Sequence, residues 1–205
     1  MIRRLVLLLV PFQLFAPSHR EAMLASGSRA LGSRRLADQV GTALVIPAAT
    51  LPAQSRKSQP ATVMQAIGAT QVTIVYNRPA ARGRKLFGDL VPWGKVWCPG
   101  ADEATTIAVT KDVLVAGQRL AAGKYSVWAI PGPAEWTVIF SNAADVFHVP
   151  YPGPAHDVLR VTVKPQAGPF MEALAFYFPA AEADRALLNL HWGETVVPIP
   201  LAVTP

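Results

Sequence analysis

The chain has 205 residues, 51% apolar and 16% charged, with a formal net charge of +6. That suffices for one domain with a full core plus a leader. Its single cysteine, Cys98, excludes an internal disulfide, and its 19 prolines and 14 glycines indicate the many turns of an all-β protein.

Residues 1–53 read as an export leader. Residues 1–16, MIRRLVLLLVPFQLFA, set two arginines before a short apolar run, the pattern of a secretory signal and too short for a comfortable membrane span. A second pattern follows: Ser33-Arg34-Arg35 precedes VGTALVIPAATLPA, loosely like a twin-arginine signal, although Asp38 and Gln39 interrupt it. Met23 is then an alternative start. The competing reading is an N-terminal helix packed on the domain. Export predicts a periplasmic or extracellular location with no transmembrane span in the mature chain. Neither signal ends in cysteine, so no lipid anchor is expected there.

The leader holds six basic and two acidic residues, leaving thirteen and eleven in the remainder, a net of +2. The basic character is thus largely a targeting feature and gives no support for nucleic-acid binding, which needs a clustered basic footprint.

Residues 54–59, QSRKSQ, form a polar linker, and a domain is expected over 60–205. Short runs of period-two alternation follow, bounded by turn residues. The first two are 61–67 and 71–77, the latter with Val72, Ile74 and Tyr76 on one face. A long irregular stretch interrupts them up to Thr105. Strands are then predicted over 105–110, 112–116, 124–130 and 135–141, and, after the proline-rich segment 142–156, over 157–164, 170–178, 186–192 and 195–203. No segment of about a dozen residues with helical period separates them, which excludes a parallel α/β sheet. The expected fold is all-β: an antiparallel β-sandwich of about nine or ten strands with one long irregular loop.

The runs YNRPAARGRKLFGDLVPWGKVWCPGADEATTIAVTKDV, LAAGKYSVWAIPG, EWTVIFS and DVLRVTVKP occur in that order between Tyr76 and Pro165. Together they resemble the bacterial exported family DUF2911, a domain of unknown function, over residues 60–201. The resemblance implies an exported all-β protein and no particular reaction. Where that family usually reads Trp-Arg-Thr-Gly-Ala-Asn-Glu-Ala-Thr, this chain reads Trp97-Cys98-Pro99-Gly100-Ala101-Asp102-Glu103-Ala104-Thr105.

The candidate chemistry lies mostly in the long loop. Cys98 could serve as a nucleophile only as a thiolate with a partner base, from His148, His156 or His191. The resemblance places arginine there, so an inert, half-buried thiol is expected. Asp102 and Glu103 are the candidate acid and base of a hydrolase. Adjacent residues of an extended segment point to opposite faces, so they converge only if the chain turns. Glu103 is favoured because the resembling motif has an acid there.

Arg78, Arg82, Arg84, Lys85 and Lys95 could form an anion pocket for an acidic metabolite or uronic sugar, or could remain solvated with Arg78 or Arg82 paired to Glu103 or Asp102. Trp93 and Trp97 could stack on a sugar ring or plug the sandwich; Trp128, Trp136 and Trp192 read as core. Thr105 closes this ligand-binding set. No metal-ligand spacing and no nucleophile-elbow motif occurs, and no cofactor is expected. The leading expectation is a binding or accessory module for a small anionic or carbohydrate-like ligand. A hydrolase using Glu103 and a structural envelope protein are the alternatives.

Overall fold

The structure is a computed structural model and describes residues 57–203. The expected leader and residues 54–56 of the expected linker lie outside them. Ten strands form two antiparallel sheets: β1 (Gln59–Ile67), β2 (Thr70–Arg78), β3 (Thr106–Val109), β4 (Val113–Val115), β5 (Gln118–Leu120), β6 (Gly123–Ile130), β7 (Trp136–Ser141), β8 (Asp157–Val163), β9 (Gln166–Ala181) and β10 (Arg185–Ala202). Their orders are β1-β2-β3-β6-β7-β8 and β5-β4-β10-β9. The fold is the expected all-β sandwich, with no α-helix among the described residues.

Period-two patterning builds the core. Val72, Ile74 and Tyr76 of β2, Ile107 and Val109 of β3, Trp136, Val138 and Phe140 of β7, and Leu159, Val161 and Val163 of β8 all face inward and are buried. Leu188, Leu190, Trp192, Val197, Ile199 and Leu201 of β10 meet them from the second sheet. Each such side chain contributes about 1.5–3 kcal/mol relative to an exposed position.

Three differences from the sequence expectation have physical causes. β1 begins at Gln59, which therefore leaves the linker. The predicted strands 186–192 and 195–203 are one long strand, β10, because its pairing with β9 passes through bulges on either side of Gly193 instead of ending there. Gly193 adopts φ 58, as a bulge glycine does. Finally, β5 escapes the pattern because it is three residues long.

The segment 142–156 covers the outer face of the six-stranded sheet. There Cys98, Ala104, Trp128 and Ile139 form a second small core, with Val146 and Tyr151 packed on it. Ala104 N donates to Val146 O at 2.9 Å, and His148 N to Asp102 O at 3.0 Å. Tyr151 donates to Asp157 Oδ1 at 2.5 Å, and Arg160 Nε to Asp157 Oδ2 at 2.7 Å. Burial, and then the Asp157 carboxylate, hold the Tyr151 phenol above its ordinary pKa.

β9 is an edge strand, and an open edge invites pairing with another chain. The end of β2 and the start of the long loop cap it. Tyr76 Oη accepts from Phe176 N at 3.1 Å, Arg78 Nε donates to Leu174 O at 3.0 Å, Leu174 N donates to Pro79 O at 3.0 Å and Ala81 N donates to Glu172 O at 2.8 Å.

Candidate functional site

The long loop, residues 79–105, is fixed at both margins. Its start lies along β9, and Arg82 N, at φ 52, donates to Glu172 Oε1 at 2.7 Å. Its second half lies along β6, where Trp97 and Ala129 exchange both backbone hydrogen bonds at 2.8 Å. A turn between them is closed by Val91 N to Leu86 O at 2.8 Å and Gly88 N to Val91 O at 2.9 Å. Leu86 and Val91 are buried, so this turn seals the core. The loop thus bridges the two sheets at one end of the sandwich.

Phe87 is the centre of an aromatic cluster. Its ring centroid lies 4.9 Å from that of Trp136, 5.8 Å from Trp97, 6.2 Å from Trp93 and 6.3 Å from Trp192. Trp97 and Trp192 stack 6.0 Å apart with 9° between their planes. Four of the five tryptophans therefore meet here, and edge-to-face and stacked pairs each add roughly 0.5–1.5 kcal/mol beyond area burial. Trp97 belongs to the plug. Trp93 stands at its rim, 43% exposed, with its indole nitrogen against Gly88.

Two hollows flank Trp93. One, of about 430 Å³, is lined by Phe87, Trp93, Phe170 and Trp192 with Arg84, Glu194 and Thr195. The other, of about 340 Å³, is lined by Trp93, Trp136, Pro133 and Gln166 with the same Glu194 and Thr195. Both are within the usual ~300–1,000 Å³ range of small-molecule sites. Arg84 is locked in place: Nε donates to Ala81 O at 2.9 Å and Nη2 to Ala80 O at 2.6 Å. Glu194 is exposed.

The two hollows lined by Glu103 include none of the other ligand-binding candidates. Glu103 accepts from Asn77 Nδ2 at 3.2 Å and lines two hollows with Val75 and Ala104, one also with Lys124, Asp145 and Phe147. None of the arginines Arg78, Arg82 and Arg84 lines either. Arg78 instead caps the β9 edge, while Arg82, Lys85 and Lys95 are exposed and line neither hollow beside Trp93. The chain does turn at Asp102, with φ 59, yet among the described residues only the Asp102 backbone carbonyl is engaged, by His148 N and His148 Nδ1.

Thr105 is fully buried; its hydroxyl donates to Pro99 O at 2.7 Å, an interior lock and not a ligand contact. Cys98 is fully buried instead of half-buried, and burial pushes its thiol pKa up to about 12. A nucleophilic thiolate is therefore disfavoured. His191, a candidate partner base for Cys98, is buried, bonded to Pro169 O at 2.9 Å and Tyr177 Oη at 3.2 Å. No cluster of three metal-ligating side chains occurs among the described residues.

Sequence reasoning missed Phe170, Glu194 and Thr195 and placed Trp192 only in the core. The available signal was the interruption of an apolar alternating run by Gly193-Glu194. A fifth hollow, of about 360 Å³, lies on the second sheet beside Leu114, Leu187 and Pro200. Its charged residues, Arg185 and Glu182, bond each other at 2.7 Å, leaving an otherwise aliphatic surface.

The family model described as "Protein of unknown function (DUF2911)" matches residues 58–201. The chain belongs to the DUF2911 family. The match spans β1 through most of β10, so both sheets and the groove of this DUF2911 domain lie within it. No curated protein and no solved structure matches the chain.

Proposed function

We propose that this DUF2911 protein is an exported, non-enzymatic binding module that holds a small carbohydrate-like ligand in the groove around Trp93. A sugar presents an apolar C–H face and a hydroxylated edge. The groove presents their complements: an exposed indole on a packed aromatic base, beside a carboxylate, a hydroxyl and a fixed guanidinium. The half-exposed Trp93 beside Glu194 and Arg84 is the observation that carries this reading. One cation next to one carboxylate favours an uncharged polar ligand over an anion.

Hydrolysis is less well supported. Glycoside hydrolysis ordinarily uses two carboxyl groups flanking the bond. The hollows beside Trp93 have Glu194 alone, and Glu103 lines hollows elsewhere. The test is a thermal-shift screen of the purified protein against sugars, organic acids and metal ions, since a ligand of the folded form raises Tm. Sugars should raise Tm, and Trp93→Ala should abolish the shift while costing about 1–2 kcal/mol of stability. A shift with organic acids alone favours the anion reading. No shift with any compound favours a structural envelope role. Export is tested separately, by sequencing the N-terminus of the protein recovered outside the cytoplasm.

A further inference from the structure

We infer that the groove takes two linked sugar rings, one on each side of Trp93, with the linkage crossing Glu194 and Thr195. This rests on the carbohydrate reading above and specifies its ligand. The two hollows, of about 430 and 340 Å³, are distinct, yet both are bounded by Trp93, Glu194 and Thr195. A single indole is therefore a divider with a ring-sized space on either side, and the polar groups common to both spaces sit where two rings would join.

The two spaces differ in chemistry. Phe170, 60% exposed, and Arg84 belong to the first; Gln166 and Pro133 belong to the second. The first thus offers ring faces and a guanidinium held by two backbone carbonyls, with Nη1 making no hydrogen bond among the described residues. The second offers an amide for hydroxyl groups. Among the described residues neither the Glu194 carboxylate nor the Thr195 hydroxyl is bonded to another protein group, so both are available to hydroxyls flanking the linkage. Part of the supporting frame is packed against its neighbours: Gly193 sits at a bulge close to Leu86, and the Trp93 indole nitrogen lies against Gly88. Little ordering cost then opposes the second ring.

The test is titration calorimetry of the full chain with cello-, malto- and chito-oligosaccharides of one to four units. In a series that binds, affinity should rise at least tenfold from one unit to two and change less than threefold beyond. Phe170→Ala and Gln166→Ala, both exposed and on opposite sides of Trp93, should each weaken two-unit binding at least fivefold while leaving Tm within about 2 °C. A monosaccharide that binds as tightly as its dimer, or a dimer affected by only one of the two substitutions, overturns the two-ring inference but leaves the carbohydrate reading standing. Failure of every length in every series to bind overturns both.

Discussion

A β-carbon placed on Gly88 would overlap the indole nitrogen of Trp93. The most exposed tryptophan of the aromatic cluster is thus seated on bare backbone, at a residue whose φ of 85 already favours glycine. Gly88→Ala therefore incurs both backbone strain and displacement of the indole. We expect a loss of about 2–3 kcal/mol in denaturant unfolding and loss of groove binding. Gly94→Ala is the control: its φ is 70, but nothing lies within 4 Å of an added β-carbon. It should cost only about 1–2 kcal/mol and leave binding intact. Equal losses in the two variants would show that the Trp93 contact contributes nothing.

The Tyr76 hydroxyl accepts from Phe176 N and lies 3.4 Å from Phe176 O, to which it donates. Tyr76→Phe keeps the edge-to-face ring pair, 5.0 Å between centroids, but orphans a buried N–H. The expected cost is about 1–3 kcal/mol, read as a shifted denaturant midpoint with unchanged slope. A shift below 0.5 kcal/mol would mean that water replaces the hydroxyl.

Burial raises the folded-state pKa of Cys98 from 9.0 to about 12. Above pH 9 the unfolded chain releases this proton while the folded chain retains it, so the unfolded state binds fewer protons. Stability is fully present below pH 9 and falls as pH rises from about 9 to 12, by at most ~1.4 kcal/mol per unit. Cys98→Ala should flatten that limb of the stability profile. The native thiol should also resist iodoacetamide at pH 8 and react only in denaturant; rapid labelling of the native protein would contradict the buried position.

Glu103→Gln separates the groove from the hollows lined by Glu103. Glutamine retains an oxygen that can accept from Asn77 Nδ2, as Glu103 Oε2 does at 3.2 Å. Sugar affinity should stay within twofold of the parent protein by calorimetry. A larger loss would move the binding site toward Glu103.

The sandwich was legible because its strands are half-buried: Val72, Ile74 and Tyr76, or Leu159, Val161 and Val163, report the core face through side-chain chemistry alone. The family was legible from its ordered runs. The site was only partly so. Trp93 and Arg84 sit in the conspicuous loop, but Phe170, Glu194 and Thr195 reach the same groove from the distant hairpin of β9 and β10, and no local pattern records that juxtaposition. Thr105 and Arg78 look available in sequence because hydroxyl and guanidinium groups are polar; in the fold their bonds go to Pro99 and Leu174 backbone carbonyls. Trp128 defeats the two-face rule, since the segment 142–156 buries the outer side of its strand as well.

The loop that carries Trp93 is stitched to backbone atoms of residues 172 and 174. A nascent chain that has yet to synthesise its last hairpin, or a product cleaved ahead of it, therefore lacks these anchors for the loop, even with every residue of the loop present.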